Sequence, residues 1–463
     1  MALGNSNAGG GASLKPTDAF LRVQAPAGAT VTISKGGTTK SDAGHANETD
    51  HGIYDYYFII HQSQFDSINA WTVTATLGGS TESSTIIIDS ADEYDVNLAF
   101  QYGAMWTKGT SSAWTRLGTS VGWSSPSPAV GTGSGSSPFD NVAPWSGMAE
   151  FNVINDRLAY QKGVDPEFSR TAYDTVVRIP KFYYQTAFNS SETHIRISPF
   201  PRAGFTEHPA FEGKDYIYVG RYLTASGYVS KSGLTPLVNV DRATVRANSR
   251  AHGIYPHWDM MNVATLSAIQ MLYLVEFADW NSQSCIGLGR TNVTSSDSNA
   301  ATGWTDNMTY HTGMSGTNGE SAVQYRGIED LWGNKDCLVD GLNCQGANVY
   351  ICSDRTKMAD GTNTGYLTYD GIVPDITDTW VSHITGSSNC NWILLPREAS
   401  GDGRSGSTFC CDQSTHTTSS SWRGLWFGGG FASGSYRDVI GLFCYRMHSG
   451  SISTVSSRLI FIP

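Results

Sequence analysis

The chain's one GxSxG arrangement is Gly118-Thr119-Ser120-Val121-Gly122. A nucleophile elbow needs a strand before the serine and a helix after it. The flanking residues predict neither, so the match reads as chance. No GxxxxGK[ST] phosphate loop and no HExxH pair is found. Histidines, among them His208, His252, His257, His311, His383, His416 and His448, are scattered without metal-ligand spacing. Each is expected to be a surface or hydrogen-bonded residue. The 41 acidic residues include no pair in a strand-end context that would mark the acid and nucleophile of a glycosidase. Two oxygen-rich stretches, Ser295-Ser296-Asp297 and Gly401-Asp402-Gly403, leave a structural Ca²⁺ open. Turn formation explains both equally, and no other cofactor is indicated. The eight cysteines are Cys285, Cys337, Cys344, Cys352, Cys390, Cys410, Cys411 and Cys444. Their spacing matches neither paired CxxC zinc clusters nor a redox CxxC. Disulfides of an exported particle and buried free thiols both fit.

More pattern lies in the last seventy or so residues. Apolar pieces (Trp392 to Pro396, Leu425 to Phe427, Gly441 to Phe443, Arg458 to Ile462) alternate with polar or aromatic stretches. The former predict central strands. The latter, at 412–421, 431–438 and 446–453, predict exposed display loops. Their candidate ligand-binding residues are Asp412, Gln413, Ser414, Thr415, His416, Trp426, Phe431, Ser433, Ser435, Tyr436, Arg437, Tyr445, Arg446, His448, Ser449 and Ser451. Aromatic and Arg anchors among Ser and Gly have the composition of a paratope. Rigid rings bury area at low entropy cost while small polar residues adapt around them. Phe427 and Phe443, inside apolar pieces, are expected in the core.

The elements that must hold these residues form a multidomain, mainly β protein. At 463 residues the chain exceeds one ordinary domain. Fifty glycines with only 15% charged residues argue for many short strands and against coiled coils or disordered acidic chains. A net charge of −11 with no Lys/Arg run argues against nucleic acid or anionic lipid as partner. No run of eighteen apolar residues is present to insert into a membrane. Residues 1–18 read as a flexible Gly-rich arm, and 19–101 as a β-sandwich of six or seven strands serving as a spacer. Residues 102–175 read as an irregular but ordered connector held by its tryptophans. The remainder, 176–463, reads as an α+β domain whose clear helix is Thr265 to Trp280, capped by Thr265.

Several segments carry a family resemblance. Leu331-Trp332-Gly333-Asn334, Trp392 to Pro396, Phe409 to Asp412, Gly428 to Phe431, Gly441 to Phe443 and Ser457 to Pro463 are the most specific. Pro144 to Met148 and Arg178 to Tyr184 extend the likeness upstream, over about 104–463. The region resembles the C-type-lectin-type fold shared by formylglycine-generating-enzyme-like proteins and the variable proteins of diversity-generating retroelements, as carried on phage tails. The resemblance implies a tail-tip or tail-fibre adhesin of the virion, made in the host cytoplasm, whose diversified loops bind a bacterial surface glycan or protein. It implies docking to other tail proteins through the N-terminal part, with a homotrimer open. The enzymes of that fold use two separated cysteines followed by an Arg-rich segment, or an iron-binding histidine set. The adjacent Cys410-Cys411 match neither pattern, so binding without catalysis is expected. An envelope-glycan-degrading or formylglycine-type enzyme and a purely structural tail component are the alternatives.

Overall fold

Leu21, Val23, Val31, Ile33, Phe58, Val73 and Ile88 alternate with polar neighbours and close over Trp71 as one buried layer. They belong to two sheets. In the first, Ala19–Pro26 pairs antiparallel with Ile53–Ile60 and parallel with Glu93–Asn97. The second runs Thr38–Ser41, Thr30–Lys35, Asp66–Leu77, Ser80–Ile88. The seven strands make the expected sandwich. A computed structural model describes residues 17–26, 28–42, 53–77, 80–98, 100–254, 256–293, 300–399, 404–436, 439, 442–444 and 451–463. Most of the arm, residues 1–16, therefore lies outside the described residues, as do both oxygen-rich stretches considered for Ca²⁺.

The stretch at 102–175 is ordered but is not a connector. Tyr102–Thr107 and Thr115–Gly118 complete a five-stranded sheet with Glu192–Ser198, Tyr183–Phe188 and Thr206–Glu207. Glu150–Ile154 and Arg157–Gln161 begin a six-stranded sheet that continues through Asp174–Pro180, Tyr216–Gly220, Leu459–Phe461 and Trp258–Met260. Short strands among Gly and Ser turns hid this pairing from the sequence, because their partners lie far along the chain. Ser120 of the GxSxG match is buried, and its hydroxyl donates to the Leu117 carbonyl at 2.9 Å. A third sheet runs Leu367–Thr368, Asn348–Ile351, Asp336–Gln345, Arg423–Phe427, Leu442–Cys444, Gln413–His416, Ile376–Thr385, Leu395–Ala399.

Between these sheets lies the helix Val263–Phe277 (α2), all fifteen of whose residues are buried. It packs against Tyr102–Thr107, Glu192–Ser198 and Asp336–Gln345. Its cap is Asn262, not Thr265: the Asn262 side chain accepts the Thr265 amide at 2.9 Å. At the other end Arg116 donates to the carbonyls of Val275 at 2.9 Å and Glu276 at 2.7 Å, which the helix itself leaves open. A second helix, Arg242–Arg250 (α1), carries no apolar stripe that would have announced it. It is capped by Asp241 and anchored by Arg246, which donates to Asp340 at 2.8 Å and Asp360 at 2.6 Å.

Glu276, in the last turn of α2, is fully buried. Arg326 grips it with two donors, Nε to Oε2 at 2.8 Å and Nη2 to Oε1 at 2.6 Å. The Tyr325 hydroxyl (2.9 Å) and the Ser137 hydroxyl (2.8 Å) satisfy the remaining lone pairs. Burial alone would lower the Arg326 pKa, but Glu276 outweighs it and the net shift is upward. The Leu331-Trp332-Gly333-Asn334 segment is a buried turn. Gly333 has φ +80°, and the Trp332 indole donates to the Gly287 carbonyl at 3.0 Å. A side chain at Gly333 would collide with the Arg290 backbone at 2.6 Å.

His208 is sealed among Phe182, Tyr184, Phe211 and Trp392. Its Nδ1 accepts the Ala210 amide at 3.3 Å, so the proton resides on Nε2. Burial pushes its pKa down to about 3. Unfolding raises it to the ordinary value of about 6.5, so between those limits the unfolded chain takes up a proton that the fold refuses. Stability therefore falls as pH drops through this window.

Two outcomes follow from this packing. Arg326→Met should lower the unfolding free energy by about 3–5 kcal/mol, with Glu276→Gln in the same chain restoring part of it, in urea titrations. The His208→Asn variant should lose less stability than the parent between neutral pH and about pH 5, the difference being about 2 kcal/mol. Parallel pH profiles for variant and parent would contradict the assignment.

Candidate functional site

Strand Gln413–His416 carries no apolar residue, which is why it reads as a loop. It is instead an inner strand, antiparallel to Ile376–Thr385 and parallel to Leu442–Cys444. Three of its four side chains, Ser414, Thr415 and His416, are buried. The Thr415 hydroxyl donates to Asp378 at 3.0 Å, and His416 Nδ1 lies 3.1 Å from the Pro374 carbonyl. Burial lowers the His416 pKa. Asp412, Ser414, Thr415 and His416 are all buried, so the expected display of these four is overturned. Trp426 is likewise core rather than display. It faces Val245, Met260, Leu338 and Val455 from the middle of Arg423–Phe427. Phe427 is buried as expected, and the Phe443 side chain lies outside the described residues.

Other candidates do reach the surface. Tyr436 is 47% exposed and meets Trp380 edge to face, with ring centroids 5.6 Å apart and planes at 82°. The two rings are brought together by main-chain pairing. Trp380 stands opposite Gln413 across the strand pair, and the Gln413 amide donates to the Tyr436 carbonyl at 2.8 Å. Gln413 itself is half-buried beside them. Trp380 was not among the sequence candidates. Its signal was a single large ring within Thr377-Asp378-Thr379-Trp380, a polar stretch with no core reason for it.

The loop carrying Tyr436 is held at several points. Ser433 Oγ accepts the Gly430 amide at 2.9 Å, the Gly434 amide donates to the Thr291 carbonyl at 2.8 Å, and Gln283 Nε2 donates to the Gly434 carbonyl at 3.0 Å. Gly406 lies so close that a Cβ there would stand 2.8 Å from the Ser435 carbonyl. Ser435 is exposed and Ser433 half-buried. Phe431, half-buried, lies under the Lys335 ammonium at 5.2 Å from its ring centre. Ser451 is exposed. Arg437, Tyr445, Arg446, His448 and Ser449 lie outside the described residues.

A fixed aromatic pair with serine hydroxyls and a glutamine amide beside it offers stacking area and hydrogen bonds to a ligand. Cys410 and Cys411 are both buried, the latter with φ +61°. Burial pushes the thiols of Cys337 and Cys390 up to about 12. Among the described residues no three His, Cys, Asp or Glu side chains converge as a metal site would require. No family model matches the chain, and no curated protein is similar to it.

The two classes of aromatic should separate cleanly on truncation. Trp426→Ala is expected to cost about 3–5 kcal/mol, the range for a large buried ring. Tyr436→Ala should leave the melting temperature within about 2 °C, because surface substitutions stay within about 0.5 kcal/mol. Thermal denaturation of both variants is the check.

Proposed function

We propose that the chain is an adhesin of a phage tail tip or tail fibre, binding a bacterial surface glycan or protein. The observation that carries this reading is the pair formed by half-buried Trp380 and exposed Tyr436, held in place by main-chain hydrogen bonds between separate segments. Preorganised rings lose little entropy on binding, so a small patch can contribute affinity disproportionate to its area. The binding surface is narrower than the sequence suggested. It centres on Gln413, Ser433, Ser435, Tyr436 and Trp380, without the buried face of the inner strand.

The lectin-type fold belongs to the same proposal. It is supported by the division of labour within the segments of resemblance: the Leu331 to Asn334 turn and Leu459–Phe461 are buried framework, and the loop at 431–436 reaches solvent. The N-terminal sandwich acts as a spacer toward the rest of the tail. Several copies on one virion, as in a trimer, would multiply a weak contact through effective concentration.

The double variant Trp380→Ala, Tyr436→Ala should melt as the parent does and lose adsorption to host cells by at least about tenfold, as loss of a paired aromatic anchor implies. Adsorption of a folded double variant at the parental level would sink the assignment of this patch.

A further inference from the structure

A cavity of about 550 Å³ opens beside the Tyr102–Thr107 and Thr115–Gly118 hairpin, where the C-terminal end of α2 emerges. That volume falls in the range of small-molecule sites, about 300–1,000 Å³. Its walls include Trp114, Trp123, Arg116, Thr115, Ser125 and Asp279. These side chains are fixed from behind. Trp114 meets Trp280 edge to face at 4.7 Å between ring centres. Trp123 rests on Phe139 at 5.1 Å and Tyr102 at 5.6 Å. Arg116 lies over the Phe139 ring at 5.3 Å while its Nη groups cap α2.

The polar groups, by contrast, keep capacity to spare. Asp279 uses Oδ1 to accept the Asn281 amide at 2.9 Å, and its Oδ2 accepts nothing among the described residues. Arg116 has no partner for Nε among them, and the hydroxyls of Thr115 and Ser125 make no side-chain hydrogen bond there. One carboxylate and one guanidinium balance, which gives the cavity no bias toward a charged ligand. A carboxylate oxygen accepts from hydroxyl groups, a guanidinium N–H and side-chain hydroxyls return donors, and indole rings cover the apolar face of a sugar.

We infer that this cavity is a binding site for a neutral saccharide of one or two pyranose rings, in which a ring packs on Trp123 and its hydroxyls meet Asp279 and Arg116. The site is separate from the Trp380–Tyr436 patch and does not depend on the adhesin reading. It also gives the hairpin of the larger body a role that the sequence reading of 102–175 as a connector left out.

The test uses the full chain with a panel of glucose, galactose, mannose, N-acetylglucosamine and their disaccharides, followed by calorimetric titration and saturation-transfer NMR. At least one sugar should bind in the micromolar to millimolar range. Asp279→Asn, which keeps the acceptor for Asn281, should weaken that binding by roughly tenfold or more, as loss of a charge-assisted hydrogen bond implies. Trp123→Ala should abolish the transferred signal, while Ile68→Ala, on the exposed surface of the N-terminal sandwich, leaves the affinity unchanged. Should Trp123→Ala unfold, the Asp279→Asn titration still decides. The inference is overturned if no sugar of the panel binds, or if Asp279→Asn binds as the parent does.

Discussion

A charged pair buried at the end of a fully buried helix sets the terms for the larger body. Glu276 could not be taken out of water alone, since an isolated carboxylate in the interior costs many kcal/mol. Arg326, Tyr325 and Ser137 together satisfy it. The adjacent Tyr325 and Arg326 come from one part of the chain and Ser137 from another, so the requirement fixes α2 against the loop at 137–145 and the turn at 325–327. That turn accommodates the geometry through positive φ at Arg326 and Gly327. Arg116 then closes the helix from the five-stranded sheet, and the same guanidinium borders the saccharide cavity. Helix, sheet and cavity are thus positioned by one polar cluster.

The opposite face of the body follows another logic. Inner strand Gln413–His416 turns Ser414, Thr415 and His416 inward, which leaves exposed Tyr436 and half-buried Trp380 as the ring pair at its edge. Polar composition alone did not separate these roles. Thr415 and Ser435 are both small and hydroxylic, yet one is internal to a sheet and the other stands on a turn. The difference lies in pairing partners more than thirty residues away, such as Asp378, which no local pattern encodes.

Alternation over short runs made the sandwich legible, and an unbroken apolar segment made α2 legible. The helix start was misplaced because Thr265 and Asn262 are both good caps, and only the backbone at Asn262, extended at ψ 169°, distinguishes them. Helix α1 was hidden because its buried face is built on Arg242 and Arg246, whose burial depends on Asp340 and Asp360. The hairpin at Tyr102–Thr107 was hidden by Gly and Ser around it, although Trp106 and Trp114 were correctly read as anchors. The candidate cavity was invisible for a similar reason. Asp279, Arg116 and Trp123 meet only after α2 has docked.

The strand Leu459–Phe461 sits inside its sheet, with Tyr216–Gly220 on one flank and Trp258–Met260 on the other. Tyr218 is paired with Phe461, which lies 243 positions later (461 − 218). At translation speeds of about 5–20 residues per second, Tyr218 leaves the ribosome roughly 10–50 s before its neighbour exists. Throughout that interval the nascent sheet has a gap where an interior strand belongs, with unpaired amides and carbonyls on both sides of it. Chaperone cover, or slow delivery of many copies at once, would govern how much of the protein matures rather than aggregates.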